Sequence, residues 1–139
     1  MLKVLIIGSE GFVGYNLIDG LSDKFQILTS DIIKKDACNN YTQCDITNYD
    51  QVINTVKNVD VVINLATHSL LSSLESETEN AQVNIIGLLN ILQACRKNDI
   101  KKMIFTSASS LIGEPQSFKV SENQTVALNS NLKWKIQNT

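Results

Sequence analysis

From Met1 to Ile7 every position but Lys3 is apolar, and at Gly8 the run stops. A short unbroken apolar stretch bounded by glycine predicts a buried strand, and from Tyr15 to Leu21 the apolar positions take up a helical period instead. Phe25-Gln26-Ile27-Leu28-Thr29 reads as a second strand. The polar stretch 32–43 predicts a surface connection, and Asn48–Lys57 a helix with Val52, Ile53 and Val56 inward and Thr47 or Asn48 as its cap. Asp60-Val61-Val62-Ile63-Asn64-Leu65-Ala66 is nearly continuous apolar and β-branched, as in a parallel strand covered on both faces.

A long helix follows, with Glu75, Glu77 and Glu79 near its start and Arg96 and Lys97 at its end, the arrangement that the helix dipole favours. Its apolar residues, among them Val83, Ile86, Leu89 and Leu92, occupy more than one face. That pattern predicts burial on two sides, by the sheet and by a partner such as the same helix of a second subunit, so residues 79–97 are a candidate homo-oligomer contact. Lys101–Thr106 reads as the fourth strand, followed by a polar loop from Gly113 to about Thr125 and a weak helix over Asn129–Asn138.

Strands alternating with helices, without a hairpin signal, predict right-handed parallel crossovers. The expected fold is α/β, a Rossmann-like doubly wound parallel sheet that is incomplete, with strand order 3-2-1-4 and flanking helices. Residues 1–125 form its dinucleotide-binding domain, and 126–139, with the weak helix, begin a truncated region.

The first strand leads through Gly8-Ser9-Glu10-Gly11-Phe12-Val13-Gly14 into a helix, an order that aims unpaired N–H groups and a positive dipole end at an anion above the turn. Gly8 lets the chain turn off the strand, Gly11 leaves no side chain between backbone and a pyrophosphate, and Gly14 lets the helix lie close to the sheet. The spacing is GxxGxxG rather than GxGxxG, and the glycines alone fit a ligand-free turn equally well. Asp31 stands past the second strand at about the ~20-residue offset of a ribose-binding carboxylate, where it favours NAD and repels the 2′-phosphate of NADP. Lys34 and Lys35 follow it and soften that preference; a cap or turn role is the plainer alternative for Asp31.

Composition narrows the partners. The chain has 139 residues, 43% of them apolar, and a net charge of −2. No basic block or stripe is present, which leaves nucleic acid and anionic membrane without a footprint. No apolar run approaches the ~20 residues of a membrane span. The first residues enter a strand directly, without signal-peptide features, so the expected location is cytoplasmic. Cys38, Cys44 and Cys95 lack CxxC spacing and His68 is the sole histidine, so no metal site is expected and the cysteines read as buried or half-buried thiols.

Taken together, Gly8, Gly11, Phe12 and Gly14, Asp31, Asp45-Ile46, Asn64-Leu65-Ala66, Asn84-x-x-Gly87-x-x-Asn90 and Phe105-Thr106-Ser107 resemble the extended short-chain dehydrogenase/reductase superfamily. Within it, the sequence is most similar to the NAD-dependent epimerase/dehydratase group acting on nucleotide sugars, over Met1 to about Glu122. The resemblance implies that Gly8, Gly11, Phe12, Val13 and Gly14 hold a pyrophosphate, Asp31 the adenosine ribose, and Asp45 and Ile46 the adenine. It implies that Leu65 and Ala66 line the cofactor, that Asn84 braces the long helix against a neighbouring strand, and that Ser107 lies beside the nicotinamide. His68 falls on the substrate side, although a hydrogen-bonded surface role fits it better.

The family's chemistry is carried by a tyrosine in a YxxxK helix, whose lysine lowers the phenol pKa, and by a serine or threonine five residues before a glycine. Here Ala108 stands five before Gly113, flanked by Ser107 and Ser109, and Tyr15, Tyr41 and Tyr49 all precede the third strand. Trp134 and Asn138 are the nearest counterparts of the tyrosine and lysine, and neither titrates usefully. The resemblance therefore implies an NAD-binding domain without catalytic residues of its own. The alternatives are a non-catalytic NAD-sensing or interaction module, and a chain completed by tyrosine and lysine from a second polypeptide.

Overall fold

The apolar run at the amino terminus is strand β1, Lys3–Ile7, and it lies in the middle of a parallel sheet. The computed structural model describes residues 1–35, 39–69 and 76–107. Along β1 the side chains alternate between two cores, which is what a strand covered on both faces requires. Val4 and Ile6 pack with Ile63 against Leu17, Ile18 and Leu21 of helix α1, Phe12–Leu21. Leu5 and Ile7 face the opposite side, with Val52 and Val56 from around helix α2, Tyr49–Thr55, and with Ile91, Ala94 and Cys95 further along the chain.

Strand β2, Gln26–Asp31, pairs with β1 from Lys3↔Gln26 to Ile7↔Ser30. The sheet then gains a strand that the sequence pattern does not predict. Tyr41–Gln43, β3, pairs with β2 inside the stretch expected to be a surface connection, and with three residues it is too short to display a period. Strand β4, Val61–Asn64, pairs with the other flank of β1, and β5, Lys102–Phe105, pairs with β4.

The order is β3-β2-β1-β4-β5, all parallel, which keeps the expected fold class and corrects the assignment within it. The apolar run Val61–Ile63 was expected at the edge beyond β2, and it sits beside β1 instead. Val62 and Ile63 are buried, and a β-branched strand of that kind needs a neighbour on each side, which β1 and β5 supply. The chain thus changes direction across the sheet between β1 and β4, the switch point at which doubly wound sheets open a crevice.

The long helix begins at α3, Glu77–Ala81, where the Ser76 Oγ accepts from the Glu79 N–H at 3.3 Å, and ends with Arg96 and Lys97 in the last turn of α4, Leu88–Lys97. Between them Gln82–Gly87 is π-helical. Burial on two sides was expected of this helix, and one side has it: Ile91, Ala94 and Cys95 are buried, while Ile85, Ile86, Leu89 and Leu92 are exposed. Asn48, not Thr47, caps α2, its Oδ1 accepting from the Gln51 N–H at 3.2 Å. Among the described residues no helix is long and apolar enough to cross a membrane. Cys38, Glu75, Ala108, Gly113, Trp134, Asn138 and the weak helix within 126–139 lie outside the described residues.

Candidate functional site

At the carboxyl end of β1 the backbone turns at Gly8 with φ +84°, a conformation side chains disfavour, and a Cβ there would lie 2.6 Å from the Ala66 nitrogen. The Gly8 and Ser9 N–H groups donate to the Ser30 carbonyl at 2.8 and 3.1 Å, fastening the turn to the end of β2. The Glu10 N–H donates to Asp31 Oδ2 at 3.0 Å and the Gly11 N–H to the Gly8 carbonyl at 3.3 Å. The amides of the turn itself are therefore engaged within the protein. The free donors belong to the helix: the Tyr15 N–H donates to the Gly11 carbonyl at 3.0 Å, and Gly11 has no side chain to cap the turn. The N–H groups of Phe12, Val13 and Gly14 thus have no intrahelical acceptor.

The three glycines do different work. A Cβ on Gly14 would meet the Gly8 carbonyl oxygen at 2.5 Å and Ser9 Cα at 2.7 Å, so Gly14 brings α1 against the turn, where close approach to the sheet was expected. A Cβ on Gly11 would meet only the Gly8 oxygen, at 3.5 Å, an ordinary contact. Gly8 and Gly14 are demanded by the fold; Gly11 is not.

In front of this turn is a cavity of about 450 Å³, lined by Gly8, Glu10, Gly11, Asp31, Asp45, Ile46, Leu65 and Ala66, with Ile7, Ile32, Ile33, Cys44, Thr67, His68 and Val83 completing the wall. That volume falls within the usual range of small-molecule sites, about 300–1,000 Å³. Of the residues singled out in the sequence, Phe12, Val13 and Gly14 are at the helix tip rather than in the wall. The Phe12 and Val13 side chains face solvent. Ser107 follows β5 after Thr106 and is exposed.

Asp31 is the last residue of β2, not a residue beyond it, and its carboxylate is turned to the glycine turn. Its Oδ1 also accepts from the Ile33 N–H at 3.3 Å. A carboxylate offers about four lone-pair sites, so acceptor capacity is left for further donors. Asp45 forms a local turn, its Oδ1 accepting from the Thr47 N–H at 2.9 Å and the Thr47 Oγ1 at 2.7 Å.

The long helix anchors the far wall through residues spaced three apart. Asn84 Oδ1 accepts from the His68 N–H at 2.8 Å and its Nδ2 donates to the His68 carbonyl at 3.1 Å, clamping the loop after β4. Gly87 lies against Ile46, whose Cδ1 would be 2.6 Å from a Cβ there. Asn90 Nδ2 donates to the Ile46 and Thr47 carbonyls at 2.9 and 3.1 Å. The His68 ring lines the cavity and its Nε2 is 3.7 Å from a Glu79 carboxylate oxygen.

Ile7, Glu10, Ile32, Ile33, Cys44, Thr67 and Val83 were not anticipated in the wall. Two signals could have found some of them: Ile32-Ile33 is an apolar pair immediately after the carboxylate, and Glu10 stands inside the glycine motif. Burial pushes the Cys44 thiol up, Asp45 adds to the effect, and hydrogen bonding with Thr55 and Ser30 opposes it. Tyr41 is the tyrosine nearest Asp31, its hydroxyl donating to the Ile33 carbonyl and to the Asp31 carbonyl at 3.3 Å. Burial, then the Asp31 and Glu10 carboxylates, push this phenol above its ordinary value, the opposite of what a general base requires.

Comparison with known proteins agrees with this fold. The chain is 31% identical over 134 residues to a Methanocaldococcus jannaschii protein provisionally named UDP-glucose 4-epimerase, covering 88% of this chain and 44% of that one. Uronate dehydrogenase from Agrobacterium tumefaciens, as a mutant complexed with NAD, superposes with TM-score 0.71 at 26% identity, covering 81% of this chain and 43% of that one. A UDP-N-acetylglucosamine 4-epimerase from Methanobrevibacter ruminantium M1, in complex with UDP-N-acetylmuramic acid, superposes with TM-score 0.74 at 27% identity, covering 91% of this chain and 44% of that one. The chain thus spans less than half the length of these relatives. The family model for the NAD dependent epimerase/dehydratase family matches residues 4–133, and the chain belongs to that family, corresponding to the amino-terminal part of its longer members.

Proposed function

We propose that this chain is the NAD-binding part of an epimerase/dehydratase-like protein acting on nucleotide sugars, and that it is catalytically incompetent by itself. One observation carries the reading: Gly8, Gly11, Asp31, Asp45, Ile46, Leu65 and Ala66, widely separated in sequence, line a single cavity. The residues fit a dinucleotide. The Phe12, Val13 and Gly14 amides at the tip of α1 would take a pyrophosphate, with the helix dipole adding to the attraction. Asp31 would accept from the adenosine ribose hydroxyls, and Ile32, Ile33 and Ile46 would sandwich the adenine beside Asp45. Leu65 and Ala66 would lie along the cofactor, and Ser107 beside the nicotinamide. When bound, NAD supplies a hydride acceptor; this chain's residues bind and orient it.

Incompetence is read from the missing tyrosine and lysine and from the raised phenol of Tyr41. Nucleotide sugars are the substrate class suggested by the two relatives named for UDP-sugar epimerases. A second reading, a non-catalytic NAD-sensing or interaction module, is favoured by the exposed row Ile85, Ile86, Leu89 and Leu92, which suits pairing of residues 79–97 with a second copy. Strictly monomeric sedimentation would remove that pairing.

Calorimetric titration of NAD and NADP tests the main reading. The expected result is tighter NAD binding, reduced at least about tenfold by Asp31→Ala with less effect on NADP, as for loss of a charge-assisted hydrogen bond. Equal loss of both cofactors would mean that the carboxylate does not read the ribose. Incubation with NAD and UDP-sugars should give no turnover.

A further inference from the structure

The glycine turn carries a second carboxylate that the cofactor reading leaves unused. Glu10 lines the cavity beside Gly11, and its N–H donates to Asp31 Oδ2 at 3.0 Å. Its side chain points to the other component of this rim: Oε2 is 2.5 Å from Lys35 Nζ, and Oε1 accepts from Ser9 Oγ at 3.3 Å. Lys35 Nζ also lies 5.4 Å from the centre of the Tyr41 ring, so the ammonium is held by an acid and by an aromatic face. Glu10 is half-buried and Lys35 exposed, the side chains retaining 22% and 44% of their accessibility.

The consequence concerns which dinucleotide is admitted. Resting on the proposal that Asp31 faces the adenosine ribose, a 2′-phosphate would enter next to Asp31 and Glu10. Lys35, held on Glu10, is a cation at this rim that could compensate it. Its ammonium is already paired with Glu10.

We infer that Glu10 is a specificity-determining residue that excludes NADP, by pairing with Lys35 and by placing a second negative charge beside Asp31. Both effects have the same sign. On this inference Lys35 would not soften the preference for NAD, since a lysine bonded to a neighbouring acid is less available to a phosphate. Lys34 is exposed, and among the described residues it forms no ion pair with this arrangement.

The test is binding, not turnover: calorimetric affinities for NAD and NADP at low and high salt, for the wild-type chain, Glu10→Gln, Lys35→Met and the double variant. Glu10→Gln keeps the backbone contact to Asp31 and frees Lys35, so NADP should bind about tenfold more tightly, the effect of one new charge-assisted contact, with NAD changed by less than about twofold. The part of the gain due to the freed Lys35 should disappear in the double variant, leaving the smaller part due to the removed Glu10 charge, and the whole gain should shrink in high salt, where exposed charges are screened. Lys35→Met alone leaves Glu10 unpaired and should weaken NADP by a further few-fold; tightening would contradict the inference without reliance on Glu10→Gln folding well. NAD binding with an unaltered NADP-to-NAD ratio in Glu10→Gln overturns this inference alone. Failure of the wild-type chain to bind NAD overturns it together with the reading on which it rests.

Discussion

Replacing Gly11 with alanine separates what the fold needs from what a ligand needs. Gly11 has φ −74° and ψ 165°, extended backbone that alanine adopts without strain, and the added Cβ would meet no protein atom nearer than 3.5 Å. Two small stability terms then oppose each other. Alanine is a poorer helix cap than glycine by about 0.5–1 kcal/mol, while the loss of glycine's freedom in the unfolded chain returns about 0.4–1 kcal/mol. The melting temperature should therefore change by no more than a few degrees, about what 1 kcal/mol produces in a domain of this size. Gly11 also lines the cavity at the tip of α1, where in the proposed site a pyrophosphate would approach the backbone and meet the added methyl group. Overpacking a close contact costs about 1–3 kcal/mol, so NAD affinity should fall roughly 5- to 150-fold. Thermal unfolding followed by circular dichroism, with NAD titration on the same sample, measures both effects. Gly8→Ala provides the contrast: its positive φ and the 2.6 Å approach to Ala66 should compromise folding itself. Unchanged NAD affinity in a well-folded Gly11→Ala chain would refute the reasoning.

Two further predictions concern ionisation. Asp60 accepts from the Lys3 N–H at 3.0 Å and from Lys101 Nζ at 2.9 Å, joining the starts of β1, β4 and β5, and these contacts, the Lys3 hydrogen bond first, hold its carboxyl below the ordinary value. A lowered folded pKa contributes stability above the unfolded value of about 3.9 and loses it as pH falls through the folded value. Urea midpoints of wild type and Asp60→Asn should accordingly differ at pH 7, with the difference narrowing progressively as pH falls below the unfolded carboxyl value; a constant difference would disprove the linkage. Burial pushes the Cys95 thiol up to about 11, so its contribution to stability is present below the unfolded thiol value and is lost as pH rises toward the folded one. Ellman's reagent at pH 8 should label Cys95 in the native chain at least about a hundredfold more slowly than in urea, since thiolate is the reacting species; equal rates would contradict the buried placement.

The sequence made some of this arrangement legible and hid the rest for physical reasons. Long elements with strong periods were readable: β1, α1, α2, β4 and the helix ending at Lys97 occur where the apolar pattern puts them. Tyr41–Gln43 was not, because three residues in a polar stretch carry no period, and overlooking it displaced Val61–Asn64 to the wrong flank of β1. Strand pairing is a long-range property, and the local pattern records only that Val61–Ile63 must be covered. The same limit applies to the cavity. Glycines and Asp31 could be found by spacing, whereas Glu10 and Lys35, twenty-five positions apart, meet only because β2 returns beside the turn. The π-helical segment Gln82–Gly87 was invisible too, since its apolar pattern continues that of the flanking helix; the motif Asn84-x-x-Gly87-x-x-Asn90 was legible, but its contacts with His68 and Ile46 were not.

The central claim is that the tip of α1 and the Asp31 carboxylate together receive a dinucleotide. Amide NMR of the isotopically labelled chain during NAD titration tests it most directly, because it reports on individual backbone groups. Saturable shifts should be largest at the Phe12, Val13 and Gly14 amides, with Glu10 and Ala66 also responding and the end of α4 at Arg96 and Lys97 silent. Shifts confined to other surfaces, or none at millimolar NAD, would contradict it.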